Sequence, residues 1–186
     1  MKRKSIGTNY SMCVQPTFIV GTYNEDGRPN FAPITWVSAT CEGENYLIVV
    51  SIYGKKRTKQ NILRTGQLSV NLVSVDMLEL VDYFGNSSAE HRGDGNISYS
   101  YTASEYVYAP LLDSSRWIYE CEVSEAIKTG ESDTFFCRIK NVQIDESIDV
   151  GNTFEINLVP FEPVIYSGQY HSLGKHLGKI GDFYKR

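Results

Sequence analysis

Cysteine is scarce in this sequence, and long apolar runs are absent. The four cysteines among 186 residues are widely spaced and form no Cys-x-x-Cys pair, which argues against a disulfide scaffold or a structural zinc site. No apolar run approaches the roughly 18 residues that a membrane-spanning helix requires. We therefore expect reduced thiols in a cytoplasmic protein that does not span a membrane, with one disulfide pair as the alternative.

Positive charge is also in short supply. The 18 lysines and arginines are outnumbered by 22 aspartates and glutamates, which gives a formal net charge of -4. Nucleic-acid binding usually requires a broad basic face. The three histidines show no metal-ligand spacing with one another or with cysteine. We therefore expect neither nucleic acid nor a metal ion as a ligand.

The composition is typical of a folded protein, because 41% of the residues are hydrophobic and 12% are aromatic. The chain is long enough for one domain with a sizeable core. Its basic N-terminus lacks the apolar core of a signal peptide. We predict a single domain over residues 1–186, with an N-terminal arm at 1–13 and a C-terminal tail at 171–186.

Segments rich in β-branched and aromatic residues dominate the chain and predict a mainly β fold. The predicted strands are 17–23, 28–40, 45–52, 67–73, 116–128, 133–144 and 162–168. Short helices are predicted at 58–66 and 75–85. Because the strands do not alternate with long helices, we expect an antiparallel Greek-key barrel of six or seven strands rather than a doubly wound sheet.

Several local patterns refine this outline. Alternation in 116–128 places Trp117, Tyr119, Cys121 and Val123 on one face of a strand. Met77, Leu80, Val81 and Phe84 mark one face of the second helix, with Ser74 as its cap and Gly85 as its end. Pro29 and Pro33 predict an edge or irregular strand. Residues 86–110 are rich in Ser, Gly, Asn and Tyr, which predicts a long loop with weak structure of its own.

The segment "SIYGKKRTKQNI" (51–62) places four cations, Lys55, Lys56, Arg57 and Lys59, in one turn. An apolar strand precedes this turn and a helix follows it, with Thr58 as the expected N-cap and Gly66 as the expected C-terminal glycine. A helix N-terminus with nearby cations favours an anion such as a phosphate. A cationic loop is as often a solvated turn, and the segment lacks the Walker frame. Both interpretations stay open on these residues alone.

Three segments in order resemble the flavin reductase-like, FMN-binding split-barrel family, which includes the flavoredoxins. They are "GRPNFAPITWVSATC" (27–41), the pattern S-x6-T-x2-N-I-x2-T-G from Ser51 to Gly66, and "SVNL" (69–72). The resemblance covers roughly residues 14 to 170. It implies an antiparallel split-barrel homodimer with short flanking helices and with FMN bound near the dimer interface.

The resemblance also implies which residues contact the cofactor. The phosphate would lie near the cationic turn, and the ribityl chain and ring near Trp36, whose alternative role is that of an ordinary core residue. The predicted cofactor-binding residues are Asn30, Trp36, Val37, Ser38, Ser51, Ile52, Lys56, Arg57, Thr58 and Tyr170. Tyr170 and its neighbour His171 have an inert tail as their alternative. Lys55 and Lys59 are expected to be solvated.

By the same resemblance, the protein is an NAD(P)H-dependent flavin reductase or a flavoredoxin-like electron carrier that passes electrons to a small molecule or a protein. No catalytic side chain is predicted, because flavin chemistry belongs to the cofactor. The segment "GESDT" (130–134) replaces a Gly-Asp-His-like signature of the family. This departure favours an alternative, an FMN-binding electron-transfer or sensor protein without NAD(P)H turnover. A split barrel for pyridoxal phosphate or F420 is a third option.

Overall fold

The computed structural model describes residues 3–5, 7–8, 14–86, 97–151, 156–179 and 182–183. The strands are β1 Gln15–Pro16, β2 Phe18–Tyr23, β3 Pro29–Ile34, β4 Val37–Glu42, β5 Asn45–Tyr53, β6 Gln67–Leu72, β7 Tyr101–Ala103, β8 Pro110–Leu112, β9 Trp117–Thr129, β10 Ser132–Ile144, β11 Val164–Tyr166 and β12 Tyr170–Ser172. The helices are α1 Arg57–Thr65 and α2 Leu78–Asn86, and 3-10 turns occupy Val75–Met77 and Val159–Phe161. The prediction of a mainly β chain with short helices is confirmed.

Seven strands form one antiparallel sheet in the order β3-β2-β6-β9-β10-β5-β4. The two outer strands, β3 and β4, are consecutive in the chain and are joined only by Thr35 and Trp36. Such a link spans at most about 11 Å between Ile34 and Val37. The sheet must therefore curl until its edges approach each other at this end, as in a barrel.

This curl corrects the prediction of one strand over 28–40. The chain leaves one edge of the sheet after Ile34 and joins the opposite edge at Val37. The backbone N–H of Val37 donates to the carbonyl of Thr35 at 2.9 Å, which marks a tight turn between the two strands. The expectation for Pro29 and Pro33 is confirmed, because both lie in β3 at the sheet edge, where a missing N–H donor is tolerated.

The main hydrophobic core lies inside the curled sheet, and a second one lies under α2. The predicted face of β9 packs on the first core, which confirms the alternation. Met77, Val81 and Phe84 are buried in the second core beside Phe31 of β3, which confirms the predicted helix face. The predicted helix end at Gly85 is wrong, since α2 continues to Asn86.

The helix start also differs from the prediction. A 3-10 turn over Val75–Met77 comes before α2. Ser74 precedes that turn, but its hydroxyl bonds the Asp76 carboxylate instead of capping a backbone N–H.

The segment 101–115 corrects part of the prediction that residues 86–110 form a long loop with weak structure of its own. Residues 87–96 lie outside the described residues, but β7 and β8 pair with each other. Buried side chains of β6 fasten this segment to the barrel: the Ser69 hydroxyl donates to the carbonyl of Pro110, and Asn71 accepts from the N–H of Leu112 at 3.0 Å. These polar contacts have no periodic signature in the sequence.

The outward face of β9 is also covered, and this explains a buried acid. Glu120 is 0% exposed. Its carboxylate accepts hydrogen bonds from the amides of Asn141 at 2.7 Å and Gln143 at 3.0 Å, and from the hydroxyl of Ser104. Because buried polar groups require partners, this acid holds the 101–115 segment on the barrel.

Each of the three described cysteines is free, and Cys13 lies outside the described residues. Cys121 and Cys137 are buried in the core, whereas Cys41 is exposed. Burial raises the pKa of the Cys137 thiol to about 12. Burial also raises the pKa of Cys121, with smaller contributions from Cys137 and Glu120. No helix of the described residues is long and apolar enough to cross a membrane.

We expect the buried thiols to make the protein less stable at alkaline pH. Above about pH 9 the thiols of the unfolded chain ionise, while Cys137 keeps its proton in the folded protein up to about pH 12. The unfolded state then binds fewer protons, so the free energy of unfolding falls as pH rises through this window. Urea unfolding at increasing pH should show a shallower decline for Cys137→Ala than for the wild type or for Cys41→Ala. Equal slopes in all three proteins would contradict the assignment.

Candidate functional site

The cationic turn lies between the end of β5 and the start of α1. Gly54 has a φ of +72°, which allows the chain to reverse there. The helix begins at Arg57, with Lys56 as the N-cap in an extended conformation, so the prediction that Thr58 is the N-cap is wrong. No side chain caps the helix start. The first N–H groups of α1 are therefore left for a ligand or solvent.

The charges carried by the helix start itself favour an anion. The first turn of α1 contains no acidic residue. Lys56 and Arg57 are exposed, and Lys55, as predicted, is exposed too. The positive end of the helix dipole adds to these cations. A helix start of this kind is suited to an anion such as a phosphate.

Thr58 forms the floor of this site. It is 2% exposed, and its hydroxyl oxygen accepts a hydrogen bond from the side-chain amide of Asn30 at 2.9 Å. A threonine hydroxyl carries one proton and can also accept. Because the Asn30 amide occupies an acceptor position of this oxygen, the hydroxyl proton of Thr58 remains available to another partner. Asn30 is 1% exposed and lies behind Thr58.

A buried polar network anchors this arrangement to the barrel. The amides of Asn30 and Asn61 both donate to the hydroxyl of Thr22, at 3.2 Å and 3.1 Å. Asn61 also donates to the side-chain oxygen of Asn24 at 3.0 Å. The sequence interpretation gave no role to Thr22 or Asn61. Asn61 could have been predicted, because it is a polar residue on the inward face of α1, three residues after Thr58.

Lys59 corrects a sequence prediction. It was expected to be solvated, but its Nζ lies 2.8 Å from a carboxylate oxygen of Asp133 and 2.8 Å from the carbonyl oxygen of Glu131. The side chains of Lys59 and Asp133 are only 12% and 11% exposed. The reason is that α1 begins at Arg57, two residues before Lys59. The helical backbone therefore directs the Lys59 side chain toward the turn between β9 and β10.

The segment around Trp36 lies beside the end of β5. The backbone N–H of Ser51 donates to the carbonyl of Trp36 at 2.9 Å. Trp36 is 41% exposed, so its alternative role as a core residue is wrong, and Ser38 is exposed as well. Ser51 is half-buried, and its hydroxyl is within 3.0 Å of the hydroxyl of Thr134.

Three of the predicted site residues have side chains that point away from the cationic turn. Val37 and Ile52 are buried in the barrel core, so only their backbone groups are available to a ligand. Tyr170 lies on β12, where its hydroxyl donates to Asp82 of α2 at 3.0 Å and its ring contacts Tyr166. Burial and the Asp82 carboxylate raise the pKa of Tyr170 to about 12. These contacts associate Tyr170 with α2 rather than with the cationic turn.

Outside the cationic turn, the described residues form no metal site but do form an open cleft. Across the described ranges, no three His, Cys, Asp or Glu side chains are grouped closely enough to hold a metal ion. An open cleft of about 960 Å³ is lined by residues 156–159, 173–179 and Asp182. Its lining combines leucines with Lys175 and His176 and includes none of the predicted cofactor residues.

Comparison with known proteins gives a consistent result. The family described as "Flavin reductase like domain" matches residues 10–174. An FMN reductase (NADH) RutF of Pseudomonas syringae is 23% identical over 137 residues, which covers 70% of this chain and 71% of that protein. The flavoredoxin of Desulfovibrio vulgaris superposes with a TM-score of 0.86 at 24% identity, over 98% of this chain and 99% of that one. A split-barrel protein of Shewanella frigidimarina superposes with a TM-score of 0.79 at 19% identity, over 90% of this chain and 85% of that one.

Proposed function

The chain belongs to the flavin reductase-like family and has its split-barrel fold, and on this premise we propose that it is an FMN-binding oxidoreductase. The observation that carries the proposal is the start of α1, where residues 56–58 combine uncapped N–H groups, two exposed cations and the Thr58 hydroxyl. This donor set fits a phosphomonoester, which FMN has and riboflavin lacks. The chemistry of the ligand class and the family membership point to the same cofactor.

The cationic turn supplies the phosphate contacts in this proposal. Thr58 and the first N–H groups of α1 fix the position of the phosphate, while Lys56 and Arg57 offset its charge. A hydrogen bond between charged groups contributes about 1.5–3 kcal/mol. Asn30 acts through Thr58, because its amide is buried behind the hydroxyl.

The other predicted residues are assigned to the rest of the cofactor. Trp36 and Ser38 are exposed. The carbonyl of Trp36 accepts a hydrogen bond from the backbone N–H of Ser51, which lies three residues before Gly54. Trp36 and Ser38 would therefore border the ribityl chain or ring. Bound flavin supplies the hydride-accepting chemistry, and the side chains of this protein bind and orient it. Val37 and Ile52 would contribute backbone groups, and Tyr170 remains an outlying candidate.

A homodimer with FMN near the interface belongs to the same proposal. The outer strand β4 supports it. Residues 38–42 are all exposed along a sheet edge that begins beside Trp36 and that no strand of the described residues covers. Size-exclusion chromatography with light scattering should give twice the monomer mass. A monomer that still binds FMN tightly would contradict the interface location. A cytoplasmic location is likewise proposed.

We expect NADH or NADPH to reduce the FMN-loaded protein. The FMN reductase (NADH) of P. syringae, 23% identical, supports a nicotinamide donor. The measurement is stopped-flow loss of the visible flavin absorbance after mixing with NADH or NADPH without oxygen. Rapid loss with one nucleotide supports the reductase. Protein that gains no flavin absorbance with added FMN would contradict the cofactor assignment.

A second candidate is an electron carrier without nicotinamide turnover. The observation that favours it concerns the 130–134 segment. The carbonyl of Glu131 accepts hydrogen bonds from Gly54 and Lys59, and the carboxylate of Asp133 pairs with Lys59. These groups of the segment are therefore bound to the cationic turn. The flavoredoxin of D. vulgaris is a structural neighbour at 24% identity. Slow reduction by both nucleotides, together with rapid reduction by a low-potential protein donor, would favour this function.

A further inference from the structure

The turn between β9 and β10 contacts both ends of the cationic turn. The carbonyl oxygen of Glu131 accepts one hydrogen bond from the backbone N–H of Gly54 at 3.1 Å and another from Nζ of Lys59 at 2.8 Å. Gly54 comes immediately before the cationic run, and Lys59 is its last member. One carbonyl group therefore ties together the two ends of the segment 55–58.

Asp133 adds an ion pair to the second of these ties. Its carboxylate is 2.8 Å from Nζ of Lys59, and both side chains are almost buried. The position of Asp133 is set from the sheet, because β10 pairs with β5 and places Asp133 opposite Ile52. A nearly buried pair is screened by salt much less than a surface pair is. The ion pair is therefore a firm link between α1 and the sheet.

The segment needs such a link because it carries four like charges in five positions. Lys55, Lys56 and Arg57 repel one another and Lys59. Before FMN binds, no phosphate offsets this repulsion. Asp133 neutralises Lys59 and holds the first turn of α1 against this repulsion. A phosphate site depends on several donors converging on one point, so small displacements of the turn weaken all contacts together.

We propose that Asp133 is a positioning residue for the phosphate site: through Lys59 it holds the start of α1 so that the helix N–H groups, Thr58 and Arg57 converge on one anion. Lys59 is then a structural cation and does not bind the phosphate. This inference rests on the proposed FMN function and adds a residue that the site predictions omitted.

A purely electrostatic role for Asp133 predicts the opposite behaviour. A carboxylate near the site repels a phosphate, so its removal alone would tighten FMN binding. A positioning role predicts weaker FMN binding on removal, although the site becomes more positive. Riboflavin has no phosphate, so its affinity reports general damage to the flavin pocket.

The main test is the double variant Lys59→Met/Asp133→Asn. It removes the link but leaves the net charge unchanged and buries no unpaired charge, so folding is expected to survive. We expect the dissociation constant for FMN to rise about tenfold, with that for riboflavin changed by less than about twofold. The matched control is Lys55→Met/Glu131→Gln, which changes the same charges on exposed side chains and keeps the Glu131 carbonyl. It should change both constants far less than the Lys59→Met/Asp133→Asn variant changes the constant for FMN.

The single variant Asp133→Asn decides the sign. Weaker FMN binding with unchanged riboflavin binding supports positioning, whereas tighter or unchanged FMN binding overturns it. If this variant does not fold, the double variant decides the question alone. An FMN preference that survives in the double variant overturns only the positioning role. A wild-type protein that binds FMN no better than riboflavin overturns the phosphate assignment and the positioning role with it.

Discussion

Arg57→Ala and Thr58→Val are each expected to weaken FMN binding by roughly 10- to 100-fold, which corresponds to the loss of one charge-assisted hydrogen bond. Riboflavin binding should change little, because neither contact exists without the phosphate. Arg57 is exposed at the start of α1, so its removal leaves the core intact. Fluorescence titration of flavin-free protein with FMN and with riboflavin measures both constants.

Matched variants separate the contact from general effects. Thr58→Ser keeps the hydroxyl that Asn30 orients and should retain most of the preference for FMN. Lys55→Ala removes an exposed cation from the same turn and should have a much smaller effect than Arg57→Ala. Equal losses for FMN and riboflavin in Arg57→Ala and Thr58→Val would show that the cationic turn does not hold the phosphate.

Gly21→Ala is expected to lower the free energy of unfolding by about 3 kcal/mol. An added Cβ would lie 2.4 Å from the Ser69 hydroxyl oxygen, 2.5 Å from the Pro110 carbonyl oxygen and 2.9 Å from the Phe31 ring. Gly21 lies in the middle of β2, where β6 and the 101–115 segment meet. Because these neighbours are backbone or packed side chains, they cannot move aside cheaply.

Urea unfolding of Gly21→Ala against Gly174→Ala tests this prediction. Gly174 has open space around its Cβ position and an ordinary backbone conformation, so its substitution should change the free energy of unfolding by less than about 0.5 kcal/mol. A Gly21→Ala protein as stable as the wild type would show that the 101–115 segment does not pack against β2 as described.

Local patterns predicted the local parts of the structure well. The inward face of β9 and the buried face of α2 followed from periodicity, because each pattern depends only on neighbouring residues. Gly66 ends α1 in a left-handed conformation with a φ of +68°, as a C-terminal glycine should. The helix starts were less accurate. Thr58 has the residue type of an N-cap, but its hydroxyl is engaged with Asn30 instead.

Long-range contacts account for most of what the sequence interpretation missed. The pattern of 28–40 reads as one strand, but the closing of the sheet places its halves on opposite edges. Residues 86–110 have the composition of a loop, yet contacts with β6 and Glu120 hold the segment 101–115 on the barrel. Hydrogen bonds between distant side chains leave no periodic trace, so neither Thr22 nor Asp133 was found.

The sequence by itself determined a β-rich chain with short helices, an acidic protein with one cationic turn, and, through ordered motifs, its family. Only the tertiary structure decided how the four cations divide. Lys59 turns inward to Asp133, while Lys55, Lys56 and Arg57 stay exposed. The physical reason is that the role of a charge depends on its partner. The partner of Lys59 comes from a hairpin far along the chain, which the pairing of β10 with β5 brings to the start of α1.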